Sequence, residues 1–197
     1  VYINDETNFN GIFGNSSSIL NLTVKNSYIK GGICSGTVVG AVRSGTIENC
    51  HNINSTVELY DESRNVGGVA GQVKGVIKNC TNIDGRVVGK KDADGNTLTG
   101  GVVGTLAAGG SKAINCYNTG NVTGEGSNVG GVVGYANASS TVQDCYNTGN
   151  VTGEGNGVGG VVGVTNTSST VQDCYNTGNV TGEGNGVGGV GGIVANI

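Results

Sequence analysis

Residues 129–157 read VGGVVGYANASSTVQDCYNTGNVTGEGNG, and residues 158–186 read VGGVVGVTNTSSTVQDCYNTGNVTGEGNG. These are two nearly identical copies of a 29-residue unit, and 100–128 is a third close copy. Upstream the pattern decays but keeps its landmarks. Gly67-Gly68-Val69-Ala70-Gly71 leads to Asn79-Cys80, Thr37-Val38-Val39-Gly40 to Asn49-Cys50, and Gly11-Ile12-Phe13-Gly14 to Asn21-Leu22. The register residues Leu22, Cys50, Cys80, Cys116, Cys145 and Cys174 are spaced by 28, 30, 36, 29 and 29 residues. The spacing of 36 contains an insertion around Lys90–Asn96. A fixed period of this size denotes units that stack on one another. The chain divides into units of approximately 9–34, 35–65, 66–98, 99–128, 129–157 and 158–186, with a partial unit 187–197, in a single domain.

No 3.6-residue apolar period occurs anywhere. Val and Ile come in short runs broken by Gly, Asn, Thr and Ser, which is strand-and-turn chemistry. Two or three short strands in 29 residues cannot bury a face alone, so each unit must stack on its neighbours. The expected fold is all-β, a parallel β-solenoid with one unit per turn, right-handed, with six turns and a partial seventh. Each turn advances about 4.8 Å, giving a rod of roughly 30–35 Å. The core must be thin. Apolar residues make up 36% of the chain, and only with the 40 glycines counted does that share reach the globular range. Collagen is excluded by the absence of proline and of a three-residue glycine period. No apolar run is long enough to span a membrane as a helix.

The first unit sets the side-chain parity. In Ser18-Ile19-Leu20-Asn21-Leu22-Thr23-Val24, alternation places Leu20, Leu22 and Val24 inward and Asn21 and Thr23 outward. Down the stack the Leu22 position becomes an inward ladder of Cys50, Cys80, Cys116, Cys145 and Cys174. The Val24 position becomes a ladder of Asn52, Asn82, Asn118, Asn147 and Asn176, whose amides can bond from turn to turn. The Thr23 position, facing out, becomes His51, Thr81, Tyr117, Tyr146 and Tyr175. Two apolar ladders are expected: Ile12, Val38, Val69, Val102, Val132, Val161 and Val190, and Ile19, Ile47, Ile77, Ile114, Val142 and Val171. Parity would also bury Glu48, Lys78, Gln143 and Gln172 two residues before the cysteines, so a bend or bulge is expected there.

Gly131-Val132-Val133-Gly134 followed by Asp144-Cys145-Tyr146-Asn147-Thr148-Gly149-Asn150-Val151 resembles the GLUG-motif repeats, and the resemblance recurs at Gly101–Gly104 and Gly160–Gly163. It extends over nearly the whole chain and is looser in the first two units. The resemblance implies a secreted or surface-anchored bacterial protein, since adhesins and non-catalytic regions of surface peptidases carry such arrays. It brings no catalytic residues.

The spacing of the six cysteines supplies no CxxC, and parallel side-chain vectors one turn apart would strain a disulfide, so free buried thiols are expected. The single histidine, His51, adjoins Cys50 but faces the opposite side, which rules out a thiol–imidazole dyad. Two GxGxxG matches, beginning at Gly155 and Gly184, precede no helix. Asp144 and Asp173 stack one turn apart, as sugar-hydrolysing carboxylates could, but Asn at the same position in earlier units fits a turn role. Asp92, Asp94 and Asn96 alternate like calcium ligands but lack the glycine and the distal acid of an EF-hand, so a polar turn is favoured. Glu125, Glu154 and Glu183 stack in register and either splay into water or share a cation.

Tyr117, Tyr146 and Tyr175, beside Thr119, Thr148 and Thr177, form an outward strip that could stack on sugar rings, or simply on itself. The threonine rows are too interrupted by Gly and Asn for an ice-binding face. Asn-x-Thr sequons at Asn121, Asn150 and Asn179 would set glycans one turn apart, too close to coexist, which favours a bacterial source. Every Lys and Arg lies at or before Lys112, and 113–197 carry five acids, so a nucleic-acid partner is excluded. The reading is a non-enzymatic structural or adhesive module, extracellular or on the cell surface, which needs no cofactor or metal and does not insert into a membrane. Its partners would be a host or surface glycan or protein. A filament subunit stacking end to end is the alternative, because both terminal turns lack the charge and proline that block strand pairing. In that case a lysine at Val190 or Val194 should suppress association. A polysaccharide-acting enzyme ranks third.

Overall fold

The computed structural model describes residues 1–61 and 63–194, with Val194 described by its backbone alone. Residues 195–197 of the partial seventh unit lie outside the described residues. Every regular element among the described residues is a β-strand, and every strand pairing is parallel. The chain is a β-solenoid of six turns and a partial seventh.

Each turn holds five short strands rather than two or three. In the fifth turn they are Asn121–Gly124, Ser127–Gly130, Val133–Ala136, Thr141–Gln143 and Tyr146–Asn147. Equivalent strands stack into five parallel sheets, numbered here one to five in that order. Sheets one to three have seven strands, and sheets four and five have six. Two-residue strands, too short for alternation to show, are what sequence periodicity overlooks.

The bend before each cysteine is a left-handed residue. Asn21, Asn49, Asn79, Asn115, Asp144 and Asp173 have φ between 50° and 57°, a region that Asn and Asp tolerate better than other side chains. This corner between sheets four and five resets the parity. Glu48, Lys78 and Gln143 are half-buried instead of inward, and Leu20, expected inside, is 56% exposed. One expected apolar ladder member was one residue out of register. Ala113, not Ile114, stacks on Ile77 and Val142, while Ile114 takes the outer row beside Lys78 and Gln143.

The glycines of the Gly-Gly-x-x-Gly signature are explained by close approach. A Cβ on Gly131 would lie 2.0 Å from the Gly160 carbonyl oxygen and 2.5 Å from Cγ of Asn147. A Cβ on Gly134 would lie 2.6 Å from both the Gly104 oxygen and the Thr99 nitrogen. The second glycine therefore admits the asparagine ladder, and the third lets sheet three lie directly against the backbone of sheet two. That tight wall separates two apolar cores. The larger is built of rows such as Val38, Val69, Val102, Val132 and Val161, together with the cysteines. The smaller holds Ile29, Val57, Leu59, Val66, Val87, Val122, Val129, Val151 and Val158. The Lys90–Asn96 insertion leaves the stack intact at the expense of one register shift, between Asn96 and Thr99 on sheet two.

Candidate functional site

The asparagine column is continuous. Asn52, Asn82, Asn118, Asn147 and Asn176 are in register on sheet five, and all but Asn176 are fully buried. Each Nδ2 donates to the Oδ1 of the next turn, at 2.6, 2.6, 2.7 and 2.8 Å. From Asn118 onward, each side chain also closes a ring with the glycine two residues on. Asn118 Nδ2 donates to the Gly120 oxygen at 2.7 Å, and the Gly120 N–H donates to Asn118 Oδ1 at 3.2 Å. Asn118 thus uses two donors and two acceptors, its full capacity. The first member, Asn52, stacks on Val24, and its Oδ1 is buried without a partner.

Cys50, Cys80, Cys116 and Cys145 are fully buried free thiols, and Cys174 is a half-buried one. Each Sγ lies 3.1–3.4 Å from the carbonyl oxygen two residues earlier, a fitting S–H acceptor. Contact with the neighbouring thiol is the first cause that raises the Cys145 and Cys174 thiols well above the ordinary range, with burial acting in the same direction; in the Cys50–Cys80 pair the contact raises Cys80 and lowers Cys50 to about 7. Cys34, on sheet two, stands apart. Burial pushes it up to about 11, against a hydrogen bond from Asn65 Nδ2 that lowers it.

A thiol raised in the folded state keeps its proton where the unfolded chain has already lost it. That stability is complete below the unfolded value, about 8.5, and is lost as pH rises through the folded value. The melting temperature should therefore fall steadily above about pH 9. A Cys145→Ala, Cys174→Ala double variant should fall less steeply in the same scan by circular dichroism. Identical slopes would show that the thiols are not the cause.

The outward tyrosines sit directly above one another. Ring centroids of Tyr117 and Tyr146 are 4.8 Å apart, and those of Tyr146 and Tyr175 are 5.0 Å apart, with interplanar angles of 7° and 2°. Their faces are turned on each other, so the strip presents ring edges and hydroxyls rather than a platform for a sugar face. Tyr146 is raised, first by burial and then by the two flanking phenols. Thr119 is drawn to the previous turn, accepting from the Asp84 N–H at 3.0 Å, whereas Thr148 and Thr177 are exposed. Below Tyr117 the row continues with Thr81, which is buried and lies 2.9 Å from His51 Nδ1.

The Asp92–Asn96 segment is a self-bonded turn clamped by an arginine. Asp92 Oδ1 accepts from the Asp94 and Asn96 N–H groups at 3.0 and 2.8 Å. Arg64 Nε lies 2.6 Å from Asp92 Oδ2, an ion pair rather than an aligned hydrogen bond, and an Arg64 terminal nitrogen lies 3.2 Å from Asp94. The two carboxylates of the loop thus already share a counter-ion, the Arg64 guanidinium. Arg64 is 30 residues before Asp94, so the period itself could have pointed to the pair. Glu125 is tied to Lys90 one turn below, and Glu154 and Glu183 are exposed. The insertion hides that pairing in sequence. Among the described residues, no three His, Cys, Asp or Glu side chains converge as a metal set, and no helix is long and apolar enough to cross a membrane.

Residues 125–152 match the GLUG motif, which confirms the resemblance read from the repeats. No curated protein matches the chain in sequence. Among solved structures, the chain is similar to a Bacteroides ovatus protein described as a candidate immunoglobulin A1 protease, with a TM-score of 0.65 at 20% identity. The match covers 90% of this chain and 60% of that one. At that identity the likeness speaks for the fold. The chain is a GLUG-bearing repeat module with a β-solenoid fold.

Proposed function

We propose that this module is a non-catalytic, adhesive part of a secreted or cell-surface bacterial protein. The observation that carries this reading is the division of labour across the wall of the solenoid. The thiols and the imidazole are held in the frame: the five ladder cysteines are bonded to carbonyls, Cys34 is buried against Asn65, and His51 is bonded to Thr81. The outer face of the later turns repeats the same Tyr and Thr side chains in register. Regular outward copies favour multivalent contact with a repetitive surface. The likeness to a candidate immunoglobulin A1 protease fits a module carried beside a catalytic region.

Two measurements test the reading. The purified chain, incubated with immunoglobulin A1 and with casein, should leave both intact on gels. Labelled chain applied to a glycan array and to immobilised serum proteins should be retained by at least one of these surfaces. Cleavage of either substrate would overturn the non-catalytic reading, and failure to bind any surface would overturn the adhesive one.

A further inference from the structure

The chain leaves a one-electron oxidant few places to act. It holds no Trp and no Met, and Met is a common oxidative lesion. Its thiols face inward. Cys34 and four of the ladder cysteines are fully buried, and each ladder S–H is held by a carbonyl. Oxidation of a thiol requires access to it. The phenols are what the outer face offers instead.

Three of those phenols are already set against one another. Tyr117, Tyr146 and Tyr175 are in register on sheet five, with ring centroids 4.8 and 5.0 Å apart and planes inclined by only 7° and 2°. Rings related by little more than a shift along the axis carry each ring carbon above its counterpart at close to the centroid separation. The carbons that flank the hydroxyl lie at the outer end of each ring, and Tyr175 is 52% exposed. The other stacked pair, Tyr2 and Tyr28, is wider and more inclined, at 5.4 Å and 17°. Its Tyr28 hydroxyl also donates to Glu58. Tyr135 stands apart on sheet three, where its hydroxyl accepts from Asn166.

We propose that the tyrosine column is an oxidative cross-linking site, at which hydrogen peroxide with a haem peroxidase joins Tyr146 to Tyr117 or Tyr175 as dityrosine. Each of the two phenols gives up one electron and its hydroxyl proton. The two phenoxyl radicals couple through a new carbon–carbon bond between positions beside their hydroxyls. The hydrogen on each coupled carbon then moves to oxygen, which restores both phenols. The released electrons and protons reduce one peroxide to two waters, so the chain loses two hydrogens and nothing else. Stacking replaces an encounter between chains with a step inside one chain. The product ties one turn to the next at the outer face. The reaction needs no bound partner, so it is separate from adhesion.

The test oxidises dilute intact chain with peroxide and a haem peroxidase, then denatures it and digests it with trypsin. No Lys or Arg follows Lys112, so Tyr117, Tyr135, Tyr146 and Tyr175 all lie on the fragment that starts at Ala113. That fragment should lose the mass of two hydrogens and show dityrosine fluorescence, while the chain stays monomeric on a denaturing gel. Further cutting after Glu125 and Glu154 should leave the Tyr146 peptide joined to that of Tyr117 or Tyr175. Tyr146→Phe keeps a ring in the stack but removes the phenol. It should cut the yield in this fragment about tenfold or more, with the melting temperature unchanged. Tyr135→Phe should leave the yield as it was. Equal yield from Tyr146→Phe, or as large a loss from Tyr135→Phe, would overturn the assignment. So would dimers as the main product, or oxygen added to the fragment in place of hydrogen lost.

Discussion

Replacing Asn118 with Leu should lower the melting temperature by on the order of 10 °C. The substitution leaves Asn82 Nδ2 and both backbone groups of Gly120 without partners inside the stack, and Asn147 Oδ1 with the Gly149 N–H alone. Each stranded buried group costs about 1–3 kcal/mol, so the total is at least about 3 kcal/mol, and a chain of this size loses roughly 2–4 °C per kcal/mol. Stability in a stacked array is a sum over neighbouring turns. A break at the centre should therefore also split urea unfolding into two transitions. The comparison that isolates the cause is Asn52→Val. That change strands only Asn82 Oδ1, removes the acceptor that already lacks a partner, and inserts the residue found at position 24. It should cost about 1 kcal/mol. Equal losses from the two variants would show that bulk, not hydrogen bonding, governs the column.

Gly131→Ala should be comparably damaging, although it adds only one methyl group. The new Cβ would meet a backbone oxygen at 2.0 Å and the Asn147 amide carbon at 2.5 Å, and neither can rotate away. Overpacking of this kind costs about 1–3 kcal/mol and more where backbone is the obstacle. Displacing Asn147 also loosens the amide column. Gly109→Ala is the control, because its Cβ would meet only the Ala138 oxygen, at an ordinary 3.5 Å. Thermal melts of the two variants should differ by several degrees. If they do not, the glycine pair is dispensable and its repetition is not a packing requirement.

The repeat made the stacking direction, the number of turns and the cysteine and asparagine columns legible in the sequence, because each rests on register alone. Strand number per turn was not legible, since Tyr146–Asn147 is too short for alternation to mark it. Leu20 was misplaced because a left-handed Asn between sheets four and five adds a corner at which two-residue parity stops counting. Ile114 was misplaced because the fourth unit has the small Ala113 at the ladder position and a larger apolar residue next to it. The strip of tyrosines could be placed outward from sequence, but not the fact that the rings spend their faces on each other. That depends on χ angles, which a linear pattern does not carry.

The amide column has a direction. Every turn-to-turn bond along it runs from the side-chain N–H of the earlier turn to the side-chain oxygen of the later one. Together with the glycine slot, it works as an indexing gauge that accepts the next turn in one position only. A duplicated unit therefore finds its alignment from the unit beneath it, without any compensating change elsewhere. Copy number becomes a free variable of the architecture, as the near-identity of 129–157 and 158–186 illustrates. Partial units have no such freedom. The extra residues at Lys90–Asn96 could be accommodated only by bulging out of the lattice, where an arginine from the turn below holds them.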